Sequence, residues 1–397
     1  MPPPLSVFPV TPATNSLPQA SGSRRWDIFC VVVDNFGDIG VCWRLARQLA
    51  AEHGCLVRLW VDDLAAFSRL CPEIALEQPV QVCSEVEIRV WQPAFPDVEP
   101  ADVVIEAFAC DLPASYVEAM ARRRVTPCWI NLEYLSAESW VADCHGLPSP
   151  HPKLPLTKIF MIPGFDERSA GLLRERSLLD RHRGFAPAAW WPSAGGAPAH
   201  GQLSISLFAY ENIAVGALLD AWSAGKPSVL CLAPESRVLD TVAAAFGKAL
   251  VPGDTITREK LELRVLPFVR QEAYDDLLLA CDINFVRGED SLVRAIWAGK
   301  PFVWHIYRQE GDVHFVKLEA FLDRYCAGLS APAASALRRF WLAWNKELID
   351  VAVWPAFIAV LPELREHTQR WRDQLAEQVD LASFLAEFCE KTGQNQL

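Results

Sequence analysis

Two carboxylates, Asp34 and Asp38, flank the short segment Asn35-Phe36-Gly37, and Gly40 follows. Before them lies the apolar run Ile28 to Val33, which reads as a fully buried strand. After them, Val41-Cys42-Trp43-Arg44-Leu45-Ala46-Arg47-Gln48-Leu49-Ala50 reads as a helix. The stretch is therefore a strand, a tight turn and a helix N-terminus, with acids at the turn. In open α/β sheets, ligands settle beyond the carboxyl ends of the strands, and a carboxylate placed there can act on a bound substrate. The plainer alternative is that Asp38 caps a helix starting at Ile39.

A second group of polar residues has the same context. The expected strand Asp282-Ile283-Asn284-Phe285-Val286 runs into Arg287-Gly288-Glu289-Asp290-Ser291, and the expected helix Leu292 to Ala298 follows. A helix N-terminus offers unpaired N–H groups and the positive end of its dipole, so it suits phosphate oxygens. Gly288 permits close backbone approach, Ser291 could donate a hydrogen bond, and Arg287 could neutralise a diphosphate. Glu289 does not help an anion and needs another purpose, such as accepting from sugar hydroxyls or from a cationic acceptor. The alternative is an N-cap at Asp290 or Ser291 beside a solvated Glu289. Phe208, Tyr210 and Phe268 follow other expected strands and could stack on a planar base, with Gln271 reading its edge. Ordinary core aromatics would look the same.

The elements that must position these groups alternate along the chain. In the first half, strands are expected at Trp26–Val33, Cys55–Val61, Glu87–Trp91, Val103–Glu106, Thr126–Leu132 and Lys158–Ile162, with helical patterns between several of them. A second alternating block runs from Leu203 to Ile306. This is the pattern of two parallel, doubly wound Rossmann-like sheets. The expected division is a disordered extension over 1–23, an N-terminal Rossmann-like domain over 24–184, a Pro/Ala/Gly-rich linker over 185–202, a C-terminal Rossmann-like domain over 203–360, and helices over 361–397 that pack back on the first domain. Such a pair of domains facing across a cleft is shared by dehydrogenases, GT-B glycosyltransferases and periplasmic-like binders.

Composition narrows the field. The chain has 397 residues and is 51% hydrophobic, enough for full cores. A formal net charge of -12 argues against nucleic acid as the main partner. The 12 cysteines include no CxxC pair, and Cys30, Cys42, Cys128, Cys231 and Cys281 lie in apolar patterns. They read as buried free thiols in a reducing compartment rather than a disulfide frame or zinc site. No apolar run is long enough to span a membrane, and Met1 to Ser23 lacks the apolar core of a signal peptide. A cytoplasmic location is expected. There is no GxGxxG after the first strand, no GxxxxGK[ST], no Asp-x-Asp and no pair of histidines at metal-ligand spacing, so neither a nicotinamide cofactor nor a metal-bridged nucleotide is indicated.

Taken together, Trp26-Asp27-Ile28-Phe29-Cys30 with Asp34 to Arg47, Asn131 to Glu138, Leu266-Pro267-Phe268 with Gln271, and Asn284 to Ser291 resemble the EarP family. Its members are bacterial protein-arginine rhamnosyltransferases acting on elongation factor P. The resemblance runs from about Trp26 to the C-terminal helices. Met1–Ser23 and the linker around Ala186–Gly201 fall outside the family pattern and carry none of its motif residues. It implies a GT-B fold, dTDP-β-L-rhamnose as donor, no cofactor or metal, and inverting transfer to one arginine of elongation factor P. Residue by residue, it implies that Asp34, Asp38 and Glu289 are the essential acids and that Tyr210, Phe268, Gln271, Arg287, Asp290 and Ser291 contact the donor. Phe36, Gly37 and Gly288 complete the expected substrate-binding set. Glu133, Tyr134 and the segment Asp143–His151 are expected on the acceptor side, either contacting the partner protein or forming a structured loop that supports Asp34. The rivals are a GT-B transferase with another nucleotide sugar and acceptor, and a non-catalytic nucleotide-sugar binder that regulates translation. The three acids weigh against the latter, since carboxylates do not aid binding of a dianionic diphosphate.

Overall fold

The computed structural model describes residues 23–33 and 36–394. The expected disordered extension therefore lies, apart from Ser23, outside the described residues, as do Asp34 and Asn35. The chain forms two compact units. The first comprises Met1–Glu133, Leu147–Met161 and Leu385–Leu397; the second comprises Tyr134–Gly146 and Ile162–Phe384.

The first unit holds one sheet of eight strands: β1 (Arg25–Cys30), β2 (Leu56–Val61), β3 (Val80–Cys83), β4 (Val86–Val90), β5 (Val103–Ala107), β6 (Cys128–Leu132), β7 (Pro148–Pro150) and β8 (Thr157–Met161). Their order is β3-β4-β2-β1-β5-β6-β8-β7. Strands β4, β2, β1, β5, β6 and β8 run parallel, and β3 and β7 close the two edges antiparallel. Parallel strands are covered on both faces, which is why β1 and β5 read as near-continuous apolar runs. One charge interrupts β1. Asp27 is fully buried, but its ladder partner across β2 is Arg58, whose Nε and Nη2 lie 2.6 and 2.5 Å from the carboxylate. Trp60 Nε1, the Ala101 N–H and the Tyr116 hydroxyl also donate to it, so the burial is compensated.

The second unit holds six strands: β9 (Leu203–Leu207), β10 (Val229–Pro234), β11 (Thr255–Arg258), β12 (Leu261–Leu266), β13 (Ile283–Arg287) and β14 (Phe302–His305), in the order β11-β12-β10-β9-β13-β14. All pairs are parallel except β11 with β12. Beneath the sheet lies an aromatic core in which Trp222, Phe285, Phe340, Trp344 and Trp354 meet at ring separations of 5.1 to 6.0 Å. This core uses several of the 15 tryptophans, each such pair contributing about 0.5–1.5 kcal/mol beyond its buried area.

The stretch over 185–202, expected as a linker, lies within the second unit. It forms short helices at Pro187–Trp190 and Trp191–Ala194, buries Trp191 in the core, and is held by Arg264, whose Nη1 donates to the Ala194 and Gly196 carbonyls. Of the C-terminal helices, Leu361–Ala376 belongs to the second unit, and the chain enters the first unit at Leu385, inside the helix Leu381–Gln394. There Cys389 Sγ approaches Cys128 Sγ at 3.6 Å. Tyr134–Gly146, expected with the first domain, belongs to the second unit. No helix among the described residues is long and apolar enough to cross a membrane.

Candidate active site

In each unit the strand order reverses beside the first strand. The reversal falls between β1 and β5 in one sheet and between β9 and β13 in the other. Loops leaving the carboxyl ends of strands at such a reversal diverge and open a crevice where ligands bind. Both sets of sequence-predicted residues leave from these strands.

In the first unit, the chain after β1 turns into the helix Gly37–His53. That helix starts two residues earlier than expected, so Asp38 lies in its first turn rather than at its cap. The N-cap is Phe36, and it makes no side-chain capping bond. Asp38 instead reaches backwards: its Oδ2 accepts from the Val33 N–H at 2.9 Å. The carboxylate is only 3% exposed and sits at the positive end of the helix dipole. Asp62 supports the same turn by accepting the Val32 N–H at 2.9 Å. Phe36 and Gly37 are half-buried beside it. Asp34, the other acid of this pair, is outside the described residues.

Across the reversal, β5 is followed by Phe108 and Ala109, both in the left-handed region at φ of 56° and 54°. A non-glycine residue there costs about 1–2 kcal/mol, so two in succession are over-determined by their surroundings. The Phe108 N–H donates to the Leu132 carbonyl at 2.7 Å, and the Cys110 N–H to Ala107. Sequence reasoning did not find this feature, because neither residue type signals it.

In the second unit, the last residue of β13 is Arg287, 6% exposed. Its guanidinium carbon lies 4.9 Å from the Phe208 ring centre and 4.7 Å from that of Tyr210, both from the loop after β9. The two rings therefore hold the cation by its π-faces. Tyr210 is braced in turn by edge contacts with His305 and Tyr307 at 5.3 and 5.7 Å. Burial, with Arg287 alongside, pushes the His305 imidazole down to about 3, so it is neutral at ordinary pH and adds no charge.

Gly288 then adopts φ of 63°, which turns the chain from β13 into the helix Asp290–Ala298. The Ser291 hydroxyl closes this turn on itself. It accepts the Arg287 N–H at 3.0 Å and donates to the Arg287 carbonyl. In this arrangement the hydroxyl proton faces the backbone, and the helix N-terminus presents its main-chain N–H groups beside it. Gln271 has a partner inside this unit. Its Nε2 donates to Asp290 Oδ2 at 3.1 Å, tying the N-terminus of the helix Gln271–Ala280 to that of Asp290–Ala298. Phe268 is half-buried just beyond β12.

Glu289 has an internal purpose. One oxygen, Oε1, pairs with Lys317 Nζ at 2.7 Å, and Oε2 accepts the Leu135 N–H at 2.9 Å. Lys317 also lies 5.6 Å from the centre of the Tyr134 ring. The acid beside an anion-favouring helix end is thus charge-compensated, and it fixes the Tyr134–Leu135 backbone within this unit. Lys317 is 28 residues away in sequence, and no local pattern announces the pairing.

The helix Asp290–Ala298 is anchored from behind. Arg294 is fully buried and forms a two-pronged pair with Asp275, and its Nη1 meets Glu175 Oε2 at 2.6 Å. Trp297 Nε1 donates to the Leu173 carbonyl at 2.7 Å. These contacts fix the direction in which the helix N-terminus points.

A family profile described as elongation factor P (EF-P) rhamnosyltransferase EarP matches residues 26–390. The protein-arginine rhamnosyltransferase of Pseudomonas aeruginosa is 51% identical over 369 residues, covering 91% of this chain and 98% of the relative. That of Shewanella oneidensis is 39% identical over 393 residues, covering 94% and 99%. A solved structure reported as the structural basis for EarP-mediated arginine glycosylation of translation elongation factor EF-P is 38% identical, with a TM-score of 0.66, covering 93% of this chain and 99% of that one. With nearly the full length matched, the chain belongs to the EarP family of EF-P rhamnosyltransferases, glycosyltransferases of the GT-B class built from two Rossmann-like units.

Proposed function

We propose that this protein transfers L-rhamnose from dTDP-β-L-rhamnose to a guanidinium nitrogen of one arginine of elongation factor P, with inversion at the anomeric carbon, in the cytoplasm. The observation that carries the reading is Arg287, clamped between Phe208 and Tyr210 at the N-terminal end of the helix Asp290–Ala298. A fixed cation and a helix N-terminus together suit a diphosphate, and they act most strongly as its charge develops on departure. The acceptor is taken from the arginine rhamnosyltransferase relatives and the EF-P-modifying structure.

An arginine is a poor nucleophile because its guanidinium stays protonated and its lone pairs are delocalised. Asp38 is the proposed general base. It removes a guanidinium proton as the nitrogen–carbon bond forms, while the anomeric carbon–oxygen bond breaks through an oxocarbenium-like state. Asp34 is proposed to hold the guanidinium through the paired N–H···O geometry that carboxylates and guanidinium groups share. Glu289 is proposed to shape the pocket through Lys317 and Leu135 while retaining lone pairs for the acceptor. Gln271 and Asp290 are proposed to set the donor-side backbone, with Phe268 and Tyr210 against the nucleotide. Neither a metal nor a cofactor is part of this scheme.

The test is mass spectrometry of purified elongation factor P after incubation with the protein and dTDP-β-L-rhamnose. One added deoxyhexosyl mass on an arginine peptide is expected. An unmodified acceptor, or equal transfer from a UDP-hexose, would contradict the reading.

A further inference from the structure

The 12 cysteines are free, yet they are not equivalent. In the first unit, Cys71 Sγ lies 2.9 Å from Cys83 Sγ, compared with 3.6 Å between the sulfurs of Cys128 and Cys389. Both residues of the closer pair are held by backbone structure. Cys71 ends the helix Leu64–Leu70, its N–H bonded to the Phe67 carbonyl. Cys83 is the last residue of β3, paired with Val86 across the hairpin turn at Ser84 and Glu85, whose φ values are 46° and 63°. Cys71 is 3% exposed, and Cys83 is half-buried.

Glu73 brings a carboxylate oxygen to 3.4 Å from Cys71 Sγ, and the ligand atoms of all three residues lie within 4.8 Å of one another. A tetrahedral zinc ion, with Zn–S near 2.3 Å, would hold two sulfurs about 3.8 Å apart. The observed separation is well inside that, so the geometry suits bond formation between the sulfurs better than an ion held between them.

We propose that Cys71 and Cys83 form a reversible dithiol–disulfide site whose oxidant is a small-molecule disulfide of the glutathione class. Cys83 is the attacking thiol and Cys71 the resolving one. Exposure favours this order, and so does the hydrogen bond from Cys71, which lowers the Cys83 thiol while the Cys71 thiol is pushed up by the same pairing and by burial. The Cys83 thiolate attacks one sulfur of oxidised glutathione, breaks its S–S bond and releases one glutathione. The Cys71 sulfur then attacks Cys83 Sγ, gives up its proton and releases the second glutathione. Two protein thiols are oxidised to one disulfide, one glutathione disulfide is reduced to two thiols, and the protein's two thiol protons end on them. The product would staple the edge hairpin to the helix Leu64–Leu70.

The full-length protein is incubated natively with oxidised glutathione, alkylated and digested without reductant. A peptide linking Cys71 to Cys83 should appear before any other disulfide, vanish with dithiothreitol, and raise the melting temperature by roughly 2–4 °C. Cys71→Ser should trap a single glutathione on Cys83, and Cys83→Ser should leave Cys71 unmodified. Absence of the linked peptide in wild type, or an adduct on Cys71 in Cys83→Ser, would overturn the proposal. So would zinc at one equivalent per chain in the purified protein that is lost in Cys71→Ser.

Discussion

The two strand-order reversals occupy the same topological position, yet they are furnished in opposite ways. Beyond β1 the buried charge is negative: Asp38, inside the first turn of a helix, accepts the Val33 main-chain N–H. Beyond β9 and β13 the buried charge is positive: Arg287 is clamped by two aromatic rings and followed by a helix N-terminus. A doubly wound unit supplies a crevice, and the residues at the turn decide whether it holds an anion or takes a proton. The proposed function makes this difference a division of labour, with the diphosphate bound by the second unit and the acceptor activated by the first.

The sharpest way to break that division is Asp38→Asn. Removing a general base costs about 10²–10⁴ in rate, so rhamnosyl transfer measured by mass spectrometry should fall by that order. Next, Arg294→Ala should cost about 3–5 kcal/mol of stability in chemical denaturation, because it takes from the buried Asp275 its two-pronged guanidinium pair. If transfer by the folded variant also drops, the anchor behind the helix Asp290–Ala298 matters for function as well. Arg287→Ala should weaken dTDP binding by about 1.5–3 kcal/mol, the worth of a charged hydrogen bond, read by calorimetry.

His305 gives a pH test of the second region. Its folded-state value of about 3 lies below the ordinary 6.5, so between these the unfolded chain binds a proton that the folded one refuses. Stability therefore falls as pH drops from about 6.5 towards 3, by about 1.4 kcal/mol per pH unit from this group. His305→Gln should flatten that acid limb in pH-dependent denaturation. The smallest effect is expected for Ser291→Ala, about 1 kcal/mol of stability from its backbone bonds, with dTDP affinity unchanged. A large loss of affinity would place the hydroxyl in the donor site.

Much of this architecture was legible in the chain. Val103–Ala107 and Leu56–Val61 follow directly from apolar runs, because parallel strands are buried on both faces. The three strands that escaped notice, β3, β7 and β11, are all antiparallel edges. They are short, partly exposed and lack the apolar run that marks an interior strand. The segment over 185–202 has a linker's composition, yet Trp191 is buried; a tryptophan pair in a Pro/Ala/Gly-rich stretch was the signal that it packs. At the candidate site, the positions of the polar residues after the strands were readable, but their partners were not. Glu289 with Lys317, Gln271 with Asp290, and Arg287 with Phe208 and Tyr210 are tertiary pairings, and no local spacing encodes them. The left-handed Phe108 and Ala109 are likewise imposed by the fold.

The most direct measurement is a calorimetric titration of dTDP into wild type and Asp38→Asn, alongside rhamnosylation of elongation factor P by the same preparations. The division of labour predicts nucleotide affinity equal to wild type in Asp38→Asn, with transfer lost. Normal transfer by Asp38→Asn, or nucleotide affinity that collapses with it, would contradict the account.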